Sequence, residues 1–197
     1  GLALFISERY DEAEREFDIA VTRNPNLFEA WYYYGLASSS QGNIEKAAQL
    51  YIKASEINPA DFQVPMFLAM AYATMGRKQD EMRVRLGALG TLERHLKLNP
   101  HDTRAIYFAA QNLYRVGEKD KATALVEQAM EQGMNEPVVL YNIACFYTGM
   151  GEADRALDLL EKAVQLGWGD RAWMEHDSDL DSLHDNQRFQ ALLASIH

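Results

Sequence analysis

The chain has 197 residues, 48% of them hydrophobic, a composition that excludes a disordered polymer and allows a sizeable buried core. Its 29 acidic against 19 basic side chains leave a net charge of -10, which argues against binding a nucleic-acid backbone, since that needs clustered Lys and Arg to displace counterions. No apolar run approaches the ~20 residues of a membrane span and no basic-then-apolar start reads as a signal peptide. The single cysteine, Cys145, cannot close an internal disulfide, so a reducing compartment, the cytoplasm, is expected, with the periplasm as the alternative.

Helix-period patterns fill the chain and β-branched alternation is nearly absent, so an all-α fold is expected. Residues 1–25 read as part of a helix pair and contain Ala13, Phe17 and Ala20. Residues 26–61 hold a first helix with Trp31, Tyr34 and Gly35, a turn at Gly42, a second helix through Ala47, Tyr51 and Ala54, and a stop at "INP" (57–59). The pattern returns in residues 62–100 with Gly76, Ala88 and "LNP" (98–100), in 101–134 with Gly117, Ala122 and Ala129, and in 135–168 with Gly151, Ala156 and Ala163. Ala13, Ala47, Ala88, Ala122 and Ala156 are 34, 41, 34 and 34 residues apart, and the four turn glycines keep the rhythm 34, 41, 34. The third unit therefore carries seven extra residues, which these two rhythms place between Gly76 and Ala88, in "RKQDEMRVRLG". Gly supplies the turn, Pro stops the helix, and the alanines let neighbouring helices approach.

Residues 169–197 end the array as a cap. In "DNQRFQALLASI" (185–196), Phe189, Leu192, Leu193 and Ile196 recur at i, i+3, i+4, i+7 behind Asp185 as N-cap, the pattern of a helix docking one apolar face.

The 34-residue helix-turn-helix resembles the tetratricopeptide repeat. Its cleanest unit runs from Phe28 to Asp61, with Trp31, Tyr34, Gly35, Ala47, Tyr51, Ala54 and Pro59 at the family's signature positions, and the likeness covers residues 1–168. Ser38 stands where the family prefers Tyr, His95 takes a small-residue site, and Met134 and Trp168 replace the closing Pro. The resemblance implies a right-handed α-α superhelix of stacked pairs with a C-terminal capping helix. In that register Gly1 falls at the eighth position of a first helix, so the chain begins inside a repeat and an upstream segment of a longer protein is expected. "GWGDRAWMEHDSDLDSLHDNQRFQALL" and the two stretches "ERHLKLNPHDTRAIYFAA" and "YNIACFYTGMGEADRALDLLEKAV" are similar to tetratricopeptide arrays appended to bacterial signalling proteins after TolB-like, cyclase or serine/threonine kinase domains.

Candidate chemistry is sparse. Cys145 falls at the ninth position of a first helix, which in the family faces the concave groove, and no histidine lies in a first helix to act as its base; it reads as wall. "HDSDLDSLHD" (176–185) alternates Asp177, Asp179 and Asp181 between His176 and His184. It fails the calcium-loop spacing, because Ser182 and Arg188 stand where Gly and Glu are required. The aspartates read as Asx turns and caps, with Leu180 and Leu183 tucked against the last repeat. No catalytic residue, metal or cofactor is expected.

The family's concave positions fall on Tyr32, Leu36, Met66, Met70, Arg104, Tyr107, Gln111, Tyr141 and Cys145, a tyrosine and methionine stripe suited to an extended or helical peptide. The Lys and Asn with which one subset of the family grips a chaperone's terminal carboxylate are absent, since Tyr32 and Leu36 occupy those places. A second patch, Arg77, Lys78, Arg83 and Arg85, gathers positive charge on the extra residues and reads as a docking point for an acidic partner or a second copy. The expected function is a non-catalytic protein-interaction module. Self-association, or a regulatory role inside a larger bacterial signalling protein, is the alternative.

Overall fold

The computed structural model describes residues 1–133, 136–169 and 171–196, with the side chains of all of these except 132, 133, 172, 173, 176 and 178. Every regular element among the described residues is helical. The chain forms two compact units, residues 1–97 and 98–197.

The first unit holds α1 (Leu2–Ile6), α2 (Tyr10–Arg23), α3 (Phe28–Ser40), α4 (Ile44–Ile57), α5 (Val64–Thr74) and α6 (Lys78–Leu98). The helices from α2 on bury a stripe set by their small and large residues: α2 turns Ala13, Phe17 and Val21 inward, and α4 turns Ala47, Leu50, Tyr51 and Ala54. The turn between paired helices is the same each time. Gly42 sits at φ 76, and the Asn43 N–H reaches back to the Ser38 carbonyl at 2.9 Å, closing α3 with a left-handed residue. Gly76 and Arg77 repeat this after α5. Glu8, 34 residues before Gly42, takes φ 56 at the equivalent turn without the freedom of glycine, and Arg9 N–H closes it on the Leu4 carbonyl at 2.9 Å.

Ser38, the departure from the family's Tyr, is fully buried and donates to the Glu14 carboxylate of α2, which also receives Lys46 Nζ at 2.6 Å. Lys46 lies 4.6 Å over the Tyr34 ring. A polar link of serine, glutamate and lysine thus fills the place of an aromatic ring.

The position of the seven extra residues differs from the sequence expectation. In α6 the residue five after the turn glycine is Glu81, not an alanine; nine after it comes Arg85, and twelve after it Ala88, both 3% exposed. Ala88 therefore matches Ala54, not Ala47, and Arg85 takes the core place of Tyr51. Val84 packs on the cluster of Tyr51, Leu68 and Tyr72, so the start of α6 stacks in the ordinary way. The overhang is at the other end, where His95 meets Phe62, two residues ahead of α5, with ring centroids 4.6 Å apart. Helix α6 has 21 residues against 14 in α4, which makes it about 10 Å longer.

The second unit continues with α7 (Thr103–Arg115), α8 (Lys119–Gly133), α9 (Pro137–Gly149), α10 (Ala153–Gln165), α11 (Arg171–His176), a 3-10 turn (Ser178–Leu183) and α12 (Gln187–Ser195). Two helix pairs, α7 with α8 and α9 with α10, form its body. Their turn glycines, Gly117 and Gly151, again lie at positive φ. Helix α12 docks Phe189, Leu192 and Leu193, but its N-cap is Asn186 rather than the expected Asp185: Asn186 Oδ1 accepts from the Arg188 N–H at 2.9 Å. Met134, Asp170 and His197 lie outside the described residues.

Arg188 fastens the cap to α10. Its Nε and Nη2 reach the two oxygens of Glu161 at 2.5 and 2.7 Å, and Nη2 reaches Asp158 at 2.6 Å. The hydrogen bonds from Arg188 hold the Glu161 carboxyl below the usual carboxylate range. A depressed carboxyl contributes stability above its unfolded value that is lost as pH falls through the lower folded one. Both side chains are about a third exposed, which screens the effect. Hydrogen-exchange protection of α12 is accordingly expected to fall a few-fold as the pH drops below about 4, and Arg188→Gln should flatten that profile. An unchanged profile in the variant contradicts the assignment.

Candidate functional site

In the first unit the expected inner-face residues come from α3 and α5. Tyr32 is half-buried and sits among rings: Phe28 at 6.1 Å and parallel, Tyr33 at 5.0 Å, and Phe67 of α5 at 5.9 Å. Spacing by one helical turn puts Leu36 beyond Tyr32, and Met70 holds the corresponding place on α5; both are half-buried. Met66 differs, being 3% exposed with its sulfur 3.8 Å from an Arg85 nitrogen. Met66 therefore serves the core. The accessible surface is an aromatic and thioether patch of Tyr32, Leu36, Phe67 and Met70.

The basic patch is reduced by the fold. Arg85, placed in it by the sequence reading, is buried and donates from Nε to Glu81 Oε1 at 2.8 Å, so it is no docking residue. Arg77, Lys78 and Arg83 are exposed. Arg77 and Arg83 both bridge to Asp80, and Arg77 also covers the Tyr72 ring at 4.5 Å. These groups stand just ahead of α6 (Arg77) and on its ordinary first turns (Lys78, Arg83), not on extra residues.

In the second unit the candidates come from α7 and α9, and there the face is covered. Arg104 is exposed at the start of α7, whereas Tyr107, Tyr141 and Cys145 are 6%, 2% and 4% exposed. Tyr141 stacks on Trp168, with centroids 4.4 Å apart and planes at 17°. Its hydroxyl donates to Asp177 Oδ2 at 2.7 Å. The Cys145 sulfur lies 3.9 Å from the same oxygen, and Gln111 Nε2 donates to Asp179 Oδ2 at 3.2 Å. Asp177 Oδ1 in turn accepts from the Asp179 N–H at 3.0 Å, capping the 3-10 turn, and behind it Leu180 and Leu183 are 0% and 1% exposed. The segment 177–183 thus lies on the inner face.

This setting decides the chemistry of the lone thiol. Burial first, and then the carboxylates of Asp177 and Asp179, push Cys145 well above the usual thiol range. It stays protonated and is a poor nucleophile. Burial, followed by Cys145 and Asp177, likewise pushes the Tyr141 phenol up, so it remains a donor. Among the described residues no group of three or more His, Cys, Asp or Glu is arranged to hold a metal ion; the side chain of His176 lies outside the described residues. Asp177, Asp179 and Trp168 are the site residues that sequence reading missed. The alternating aspartates are visible as turn formers, but nothing in their spacing names Tyr141 and Gln111 as their partners.

Tetratricopeptide-repeat family models match residues 1–62 and 139–167. A tetratricopeptide repeat-containing protein of Treponema pallidum (strain Nichols) is 28% identical over 113 residues, 57% of this chain, and the chain spans 13% of that relative's length. Among solved structures, a thermophilic tetratricopeptide-repeat protein of Thermus thermophilus, TTC0263, superposes with TM-score 0.65 at 25% identity, covering 98% of this chain and 95% of its own. MamA from Desulfovibrio magneticus RS-1 shares the fold, with TM-score 0.55 at 18% identity over 84% of this chain and 89% of its own. Residues 1–62 and 139–167 match tetratricopeptide repeats, and the chain has the helical solenoid fold of the tetratricopeptide-repeat protein TTC0263. No helix among the described residues is long and apolar enough to cross a membrane.

Proposed function

We propose that this array of tetratricopeptide repeats is a non-catalytic protein-interaction module that takes a peptide or helix of a partner protein on the inner face of its first unit. The observation that carries the reading is the half-exposed patch of Tyr32, Leu36, Phe67 and Met70, whereas in the second unit the equivalent Tyr141 and Cys145 are already covered. Aromatic rings and a flexible thioether offer large contact area at little cost in ordering, which suits an apolar side chain presented at helical or extended spacing. The exposed cations Arg77, Lys78 and Arg83 add a complementary edge for an acidic flank of the partner. In a longer protein the module would act beside a signalling domain of the TolB-like, cyclase or kinase kind, a reading that rests on sequence likeness. A buried free thiol suits the reducing cytoplasm.

Peptides selected from a displayed library against the intact chain provide the test. Their affinity is expected to fall about tenfold or more on Tyr32→Ala together with Met70→Ala, the range for truncating anchor side chains. Equal affinity for parent and double variant sinks the assignment.

A further inference from the structure

In the second unit, two consecutive first helices each hold one carboxylate of a single short segment. Tyr141 of α9 donates to Asp177 and Gln111 of α7 donates to Asp179, two residues on. Asp177 also shapes the backbone between them by accepting from the Asp179 N–H. Leu180 and Leu183, which follow, are buried and supply its apolar anchors. This is the anatomy of a bound peptide: two acidic side chains read by donors on the receptor, two apolar anchors, and one turn of backbone.

The segment is fastened separately from its flanks. Helix α12 is docked by Phe189 and Leu193 and by Arg188 on Glu161 and Asp158 of α10, so the cap has a hold that does not depend on residues 177–183. A six-residue 3-10 turn has little stability of its own and takes its shape from what it touches. Tyr141 and Gln111 are neutral donors, so each of these two contacts is directional rather than a mere attraction of opposite charges.

We infer that residues 177–183 are a ligand held in cis: the α7 and α9 face is a receptor for an Asp-x-Asp-Leu turn, closed by the chain's own segment and opened by exchange with an acidic segment of the same chemistry from a partner protein. Tethering gives the cis segment an effective concentration on the order of millimolar, so the partner gains the face only when presented at comparable local concentration or when the cis anchors weaken. This goes beyond the first-unit surface and does not depend on it.

The test uses a blocked, fluorescently labelled peptide of residues 176–185 and the full chain. In Asp177→Asn/Asp179→Asn the cis segment loses both charges but keeps its shape, since Asn also caps a turn. The peptide is expected to bind this variant at least about tenfold more tightly than the parent, because hydrogen bonds to charged groups outweigh neutral ones. Adding Tyr141→Phe, which keeps the ring on Trp168 and removes the hydroxyl, should abolish that gain. Tyr32→Ala should leave it intact. Equal binding to parent and variant, or a gain that survives Tyr141→Phe, overturns the inference. Loss of helicity in the Asn variant overturns it as well, by showing the segment to be a fixed member of the fold.

Discussion

Gly35→Ala is expected to destabilise the first unit by about 1–3 kcal/mol, although alanine is the better helix former by about 1 kcal/mol. A Cβ at Gly35 would stand 2.5 Å from Cε1 and 2.7 Å from Cδ1 of Tyr51. That ring is 1% exposed, belongs to the cluster of Ala47, Ala54 and Leu68, and lies 5.8 Å from Phe67, so it has no empty rotamer to take. The helix pair must spread instead, and α3 and α4 lose their close approach. Gly87→Ala is the contrasting change. A Cβ there meets nothing within 4 Å inside the 21-residue α6, so only the propensity gain remains. It should stabilise by up to about 1 kcal/mol. Denaturant melts followed by circular dichroism separate the two, and Gly35→Ala melting at or above the parent would show that the pair can relax. Gly35→Ala combined with Tyr51→Leu should recover part of the loss by removing the ring that clashes.

Arg85→Ala is expected to cost about 3–5 kcal/mol, the range for removing one partner of a buried ion pair. The Arg85 side chain is 3% exposed and Glu81, which accepts from its Nε, is 15% exposed. Stripping away the guanidinium leaves that carboxylate in a poorly solvated place, and a cavity opens where other second helices put Tyr51 or Val126. The double change Glu81→Ala/Arg85→Leu restores small and apolar residue types, as in the other repeats, at both positions. It should return to within about 1 kcal/mol of the parent or exceed it, because buried pairs are often matched by apolar replacements of similar volume. Thermal and urea melts of the two variants decide the matter. A double variant as unstable as the single one would mean that the pair holds something that packing cannot replace.

The position of the insertion shows how the sequence misleads. The rhythm of Ala47 and Ala88 has a gap of 41, but Ala20, Ala54 and Ala88 keep a spacing of 34, and only then does 41 intervene before Ala129. The stop signals agree: Pro25 and Pro59 follow their alanines by five residues, Pro100 by twelve. Ala47 and Ala88 are alanines of different role that share a place in one rhythm. The mismatch arises at the one repeat whose core holds Glu81 and Arg85, where no small or apolar residue marks the register. With Arg85 in the core, the basic patch shrinks to Arg77, Lys78 and Arg83.

By itself, the sequence determined the all-helical fold, the paired helices, the turn positions and, outside α6, the kind of residue that most helices bury, because these depend on partners within one repeat. Helix period, glycine at positive φ and small-residue contacts act over a few turns, and 34-residue spacing restates them until chance is an untenable explanation. Tertiary structure alone decided which inner-face residues remain accessible. Asp177 meets Tyr141 across 36 residues and Asp179 meets Gln111 across 68, contacts that no period encodes. The covering turn takes its shape from the face it covers, and burial of Leu180 and Leu183 offsets the cost of ordering it. A chain read locally shows a stripe of Tyr32, Met66, Tyr107 and Tyr141; once folded, Tyr32 stays half-buried and reachable, Tyr107 is buried, Met66 is buried beside Arg85, and Tyr141 is covered by Trp168 and Asp177, which lie outside the paired helices.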